Sequence, residues 1–157
     1  MQKISPFLWF DNNAEKAVKF YVSVFKKGKV GKISRYSEGA PAPAGSVMTV
    51  EFQLFGQDFV ALNGGPAFKF NEAISFVISC KTQREVDYYW RKLSAGGKKI
   101  ECGWLKDKYG VSWQIVPTVL MELLSSKDRA KAARVMQAML RMTKIDIKRL
   151  KQAAAKK

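Results

Sequence analysis

The side chains best able to do chemistry lie on a short alternating stretch. Thr49, Glu51 and Gln53 alternate with Met48, Val50, Phe52 and Leu54, the period-two pattern of a strand with one polar and one apolar face. With the apolar face against a helix, the polar face offers Glu51 as a hydrogen-bond acceptor or weak base, flanked by Thr49 and Gln53. The competing reading is an ordinary solvated face. Ser112 and Gln114 share the polar side of a later strand and offer similar contacts. Trp9, Phe68, Trp104 and Trp113 could stack on a flat ligand or fill a core. Asn63, beside Gly64, serves either as a ligand contact or as turn chemistry.

Absences narrow that chemistry. The chain has no histidine, which removes the commonest metal ligand and the usual general base near neutral pH. Imidazole zinc sites, Ser-His-Asp triads and Cys-His pairs are excluded. Cys80 and Cys102 belong to no CxxC motif and read as buried, reduced thiols of a cytoplasmic protein. The N-terminal segment has no small-residue cleavage site and reads as mature sequence. No apolar run approaches the roughly 18 to 20 residues that cross a bilayer, so no membrane partner is expected.

Charge adds a second class of expectation. The 28 Lys and Arg against 13 Asp and Glu give +15, a field that attracts anions. The basic residues run from Lys3 to Lys157, so non-specific polyanion binding is expected over a solvated surface. A scaffold or interaction protein whose role is its charge, natural or engineered, is the corresponding functional alternative.

Two similar sets of elements must position these side chains. In the first, a strand over 3–10 precedes a helix over 13–26, with Asn12 and Glu15 spaced as a capping box. That helix carries Ala14, Ala17, Val18, Tyr21, Val24 and Phe25 at helical spacing, and Gly28 ends it. A strand over 30–36, a Pro-rich loop over 37–45, the alternating strand, a hairpin at Gly56-Gln57 and a return over 59–63 follow. After Asn63-Gly64-Gly65-Pro66 the order repeats: a strand over 73–80, then a helix capped by Thr82 with Glu85. Val86, Tyr89, Trp90 and Leu93 form its buried stripe. Strands over 99–102, 104–107 and 111–116 complete the second set.

The repetition holds residue by residue. Phe7, Phe20, Tyr21 and Val24 lie 69 residues before Phe76, Tyr89, Trp90 and Leu93. In the returning hairpin Gly56, Phe59 and Leu62 lie 54 residues before Gly110, Trp113 and Val116. Internal duplication of a βαβββ unit gives an α+β fold class. The modules span about 1–66 and 72–118, forming one domain over 1–118. Beyond Pro117 the pattern turns helical over 119–157, with helices over 119–124, 127–142 and 147–155. Ser125 with Asp128 caps the second, and Asp146 caps the third. The stripe Ala132, Val135, Met136, Met139 and Leu140 reads as core or subunit contact.

Two such modules joined at a Gly-Pro seam resemble the vicinal oxygen chelate superfamily, the fold of glyoxalase I and bleomycin-resistance proteins. The segments PFLWFDNNAEKAVKFYVSVF, GSVMTVEFQLFGQDFVALNGGPAFKFNEAISF and CGWLKDKYGVSWQIVPTVLMELL resemble the PhnB-like branch, whose members often carry the label 3-demethylubiquinone-9 3-methyltransferase. The resemblance implies a homodimer in which each module curls into a cup with ligand on the concave side. Superfamily enzymes place His, Glu or Gln on facing strands to hold a divalent metal. Those positions fall here at 5–7, at 73–75 and at Gln114, leaving Ser75 and Gln114 as ligand contacts rather than metal donors. No metal and no cofactor are therefore expected. A nucleotide-type methyl donor needs a Gly-rich turn after the first strand of a doubly wound sheet, whereas Gly64-Gly65 follows the fourth strand. The expected function is binding of a small apolar or aromatic molecule in the concave sheet. The alternative is an isomerase or lyase with Glu51 as base, or an enzyme of the methyltransferase-like kind.

Overall fold

Each half of the chain builds the same four-stranded sheet. In the computed structural model, which describes residues 2–156, the first half contains β1 (Phe7–Phe10), α1 (Ala14–Val24), β2 (Lys29–Arg35), β3 (Val47–Leu54) and β4 (Gln57–Asn63). The second contains β5 (Phe76–Cys80), α2 (Gln83–Ser94), β6 (Lys98–Lys99), β7 (Trp104–Lys106) and β8 (Ser112–Pro117). The strand orders are β1-β4-β3-β2 and β5-β8-β7-β6, so the duplicated α+β topology is present. In each sheet the first strand runs parallel to the last, and the other pairings are antiparallel. The chain divides into two compact units, the first ending at Phe70 and the second beginning at Asn71.

In the first unit, α1 buries Ala14, Ala17, Val18, Tyr21 and Val24 against β2, β3 and β4. Val50, Phe52 and Leu54 are buried on β3, while Thr49, Glu51 and Gln53 are half-buried on its other side. Tyr21, Phe52 and Phe59 form a run of near-parallel rings, with centroids 6.1 and 5.1 Å apart. The helix begins differently from the expected Asn12–Glu15 box. Asn12 adopts φ +55°, Asn13 makes no side-chain cap bond, and the Ala14 amide donates to Asn63 Oδ1 at 2.9 Å. The hairpin also turns one residue earlier than the sequence suggests. Leu54 pairs with Gln57, and Phe55 and Gly56 take φ +50° and +82°, the pair of positive values that a type I′ turn demands. β1 starts only at Phe7, because Pro6 has no amide to offer the ladder; its carbonyl accepts from Val60 N at 3.0 Å.

In the second unit, Thr82 and Glu85 form the expected capping box, and Val86, Tyr89, Trp90 and Leu93 are buried. β6 stops after two residues because Cys102 and Gly103 swing into positive φ, +58° and +81°. Their amides donate to Met142 O and Thr143 O, each at 2.8 Å. The third set of helices, α3 (Thr118–Leu124), α4 (Arg129–Leu140) and α5 (Ile147–Ala155), closes over Leu120, Val135, Met142, Ile145 and Leu150. Asp128, not Ser125, caps α4 by accepting from Lys131 N; Asp146 caps α5 as expected. Gln83 fastens this extension to α2: Nε2 donates to Ile145 O at 3.1 Å and Oε1 accepts from Ile147 N at 2.9 Å. Met136 and Leu140 of the expected stripe remain 38% and 51% exposed. Among the described residues no helix is long and apolar enough to cross a membrane.

Two predictions follow from this packing. A Cβ at Gly64 would come within 2.3 Å of the Trp9 indole, so Gly64→Ala should cost about 2 kcal/mol, the range of an overpacked core, read by denaturant unfolding. Cys80 is buried, and burial pushes its thiol up from 9.0 to about 12, with Glu85 adding to the rise. Between those values an unfolded chain releases a proton that the folded one keeps, so stability contributed by this thiol is full below pH 9.0 and is lost as pH rises toward 12. Half-buried Cys102 should therefore alkylate first at pH 8, with Cys80 reacting only on unfolding; equal labelling rates would refute this.

Candidate functional site

The side of the first sheet opposite α1 carries the polar residues of β3, and part of it is hollowed. Pairing sets Glu51 opposite Val60 and Gln53 opposite Asp58. A cleft of about 420 Å³ is lined there by Ser5, Lys29, Glu51, Gln53 and Asp58, with Val60 supplying apolar wall. Gly31 belongs to the same rim, and a Cβ at that position would lie 3.2 Å from Glu51 Cβ, so the glycine leaves room beside the carboxylate. Ser5 Oγ is buried with no hydrogen-bond partner. Such a group is costly unless something satisfies it.

The cleft's polar groups are partly preorganised. Gln53 Nε2 donates to Asp58 Oδ1 at 2.9 Å, and the Gln2 amide donates to Asp58 Oδ2 at 2.9 Å. The Gln2 amide, then the Gln53 side chain, hold the Asp58 carboxyl below its ordinary value. These bonds hold the Asp58 carboxylate in place, and Lys29 lines the same hollow. Thr49, one alternation further along β3, shares a hydrogen bond with the Ser34 hydroxyl.

Of the remaining sequence candidates, Ser112 is buried with its Oγ unpartnered, and the others have structural partners. Asn63 is 7% exposed; its Nδ2 donates to Glu15 Oε2 at 2.7 Å and Val47 O at 3.0 Å, in addition to the bond from Ala14. Trp9 Nε1 donates to Gly65 O at 2.8 Å, and its ring meets Phe68 edge-on at 4.9 Å. Phe68 itself is 65% exposed. In the second unit Gln114 Nε2 donates to Ser75 Oγ at 2.9 Å, and Trp104 pairs with Gln114 across the ladder. Trp113 is buried, with Nε1 donating to Asp107 Oδ2 at 2.9 Å and its ring 5.4 Å from Phe76.

The structure thus gathers Glu51 and Gln53 in one cleft and Ser75 with Gln114 in a separate hydrogen-bonded pair. Lys29, Asp58 and Val60 were not among the sequence candidates. Asp58, Val60 and Leu62 do alternate along the returning strand, which groups Asp58 with Val60, but only the pairing with β3 sets it on the Gln53 side. At the positions that the resemblance sets against metal ligands, the oxygen donors are neutral: hydroxyls at Ser5 and Ser75 and the Gln114 amide. Among the described residues no three His, Cys, Asp or Glu side chains gather to hold a metal ion. That donor set does not fit a divalent cation. β1 passes to α1 through Asp11-Asn12-Asn13, without the glycines of a nucleotide-binding turn.

Comparison with known proteins accords with this architecture. The family described as 3-demethylubiquinone-9 3-methyltransferase matches residues 2–116. The PhnB protein from Bacillus cereus is 37% identical, with a TM-score of 0.68, and the match covers 74% of this chain and 100% of that one. Protein PA1353 from Pseudomonas aeruginosa is 19% identical, with a TM-score of 0.61, over 74% of this chain and 98% of that one. The fosfomycin resistance protein FosX from Listeria monocytogenes shares the fold at 18% identity and a TM-score of 0.52, over 80% of this chain and 98% of its own. No curated protein matches the chain. With the duplicated sheets, these matches make the chain a member of the 3-demethylubiquinone-9 3-methyltransferase-like (PhnB) family, built on the glyoxalase/bleomycin-resistance fold.

Proposed function

We propose that the cleft on the first sheet binds a small apolar or aromatic molecule, without help from a divalent metal. The observation that carries this reading is the buried, unpartnered Ser5 Oγ in the wall of that cleft. A volume of about 420 Å³ lies within the roughly 300–1,000 Å³ usual for small-molecule sites. Val60 offers apolar surface, while Ser5, Glu51 and Gln53 offer a few polar contacts that fix orientation. A ligand acceptor placed on Ser5 would replace the hydrogen bond that folding leaves unmade.

A second reading gives Glu51 a chemical task. A carboxylate in the same hollow could remove a proton beside a carbonyl, which would make the protein an isomerase or lyase. The carboxylate's position on the cleft supports this as well as it supports simple binding.

The two readings separate experimentally. A neutral aromatic probe such as N-phenyl-1-naphthylamine should bind the wild type, and Val60→Arg should weaken it at least tenfold, about 1.4 kcal/mol. Undiminished affinity in Val60→Arg would overturn the cleft assignment. Glu51→Gln should leave probe binding within about threefold under either reading. If Glu51 is a base, that variant should slow deuterium exchange beside the carbonyl of small ketones by about 100-fold; an unchanged rate removes the catalytic reading and leaves the binding one.

A further inference from the structure

The positive charge is concentrated where the family match has ended. Residues 119–157 carry 11 Lys and Arg against 3 Asp and Glu, a net +8, while residues 1–118 carry 17 against 10, a net +7. A quarter of the chain therefore holds more than half of the excess. The family match stops at residue 116. The extension nevertheless has its own buried cluster around Val135, Ile145 and Leu150, so its charges are displayed on packed helices rather than on a frayed tail.

The few acidic groups offset little of this field. Asp128 and Asp146 are both committed to helix caps, accepting from Lys131 N and Arg149 N. At the junction of α2 and α5 lies an open groove of about 850 Å³. Lys81, Lys148 and Lys151 line it and are exposed. Its one carboxylate is the capping Asp146, and Gln152 adds a neutral amide.

We infer that this groove and the helices around it bind the phosphate backbone of duplex nucleic acid without reading its bases. Charge complementarity selects the polyanion: each lysine that meets a phosphate releases condensed counterions, and duplex DNA is the denser line of charge. Residues 119–157 contain no Phe, Trp or Tyr, and no aromatic lines the groove. The stacking platforms on which single strands depend are therefore missing. At the groove, whose lining excludes the exposed Met136 and Leu140 of α4, a lipid surface fits less well. An interfacial helix inserts large apolar groups, but Leu150 of α5 is fully buried and Ile147 is half-buried.

The test is fluorescence anisotropy of the full chain with a labelled duplex of about 20 base pairs and with the single strand of equal length, from about 50 to 200 mM salt. Duplex should bind more tightly, with log affinity falling linearly in log salt. Lys148→Glu with Lys151→Glu should weaken duplex binding at least tenfold and make the salt slope shallower by about 2. Lys148→Ala with Lys151→Ala guards against a folding defect and must move affinity in the same direction. Lys16→Glu with Lys19→Glu makes an equal change of net charge on exposed positions of α1, and should cost no more than about threefold. Equal losses from the α1 and α5 reversals would overturn the groove assignment. So would affinity insensitive to salt, no duplex binding at the lowest salt, or binding only to vesicles containing phosphatidylserine.

Discussion

Asn63 stands at the end of β4 with its amide fully inside the first unit, and three elements meet on it. Its Oδ1 takes the first free amide of α1 from Ala14, and its Nδ2 reaches both Glu15 in the first turn and the Val47 carbonyl at the start of β3. A side chain that satisfies several buried groups at once matters more than its bond count suggests, because each group left unmade costs about 1–3 kcal/mol. Through this amide the helix start is fixed to the two central strands. That contact holds α1 over the apolar side of β3, leaving Thr49, Glu51 and Gln53 on the opposite side. The cleft inherits its polar wall from that choice of face.

The second unit reaches the same topology by other means. Position 117, the duplicate of Asn63 at the 54-residue offset, is proline, which has no amide side chain to offer. α2 instead starts on its own local box, Thr82 with Glu85. Here Asp107 is the clasp. It accepts from Tyr109 N at 2.8 Å, Val111 N at 3.1 Å and Trp113 Nε1 at 2.9 Å, fixing the β7–β8 connection and committing Trp113 to the interior. Duplicated backbones thus carry different side-chain solutions, and the hollow lined by Ser5, Glu51 and Gln53 belongs to the first of them.

The parts of this fold legible in the sequence are those written locally. Alternation along β3, the helical stripes of α1 and α2, the Thr82–Glu85 box and the Asp146 cap all depend on residues within a few positions of one another. The matched offsets between Phe7 and Phe76, or Phe59 and Trp113, exposed the duplication and with it the fold class. What stayed hidden depends on distant partners. Asn63 caps a helix 49 residues upstream, so its neighbour Gly64 suggested a turn instead. β6 is short because the amides of Cys102 and Gly103 are taken by Met142 and Thr143, some 40 residues on. In the candidate site, alternation singled out Glu51 and Gln53. Lys29 and Asp58 join them through strand pairings that local periodicity does not encode.

Where a small flat molecule settles on the protein decides whether the cleft is a binding site. Backbone amide shifts of the full chain, followed while a neutral aromatic probe is titrated in, report this directly. The predicted result is a saturable set of changes centred on Ser5, Gly31, Glu51, Gln53 and Val60. Saturable changes confined to residues outside that cleft, or no saturable change at all, would contradict it.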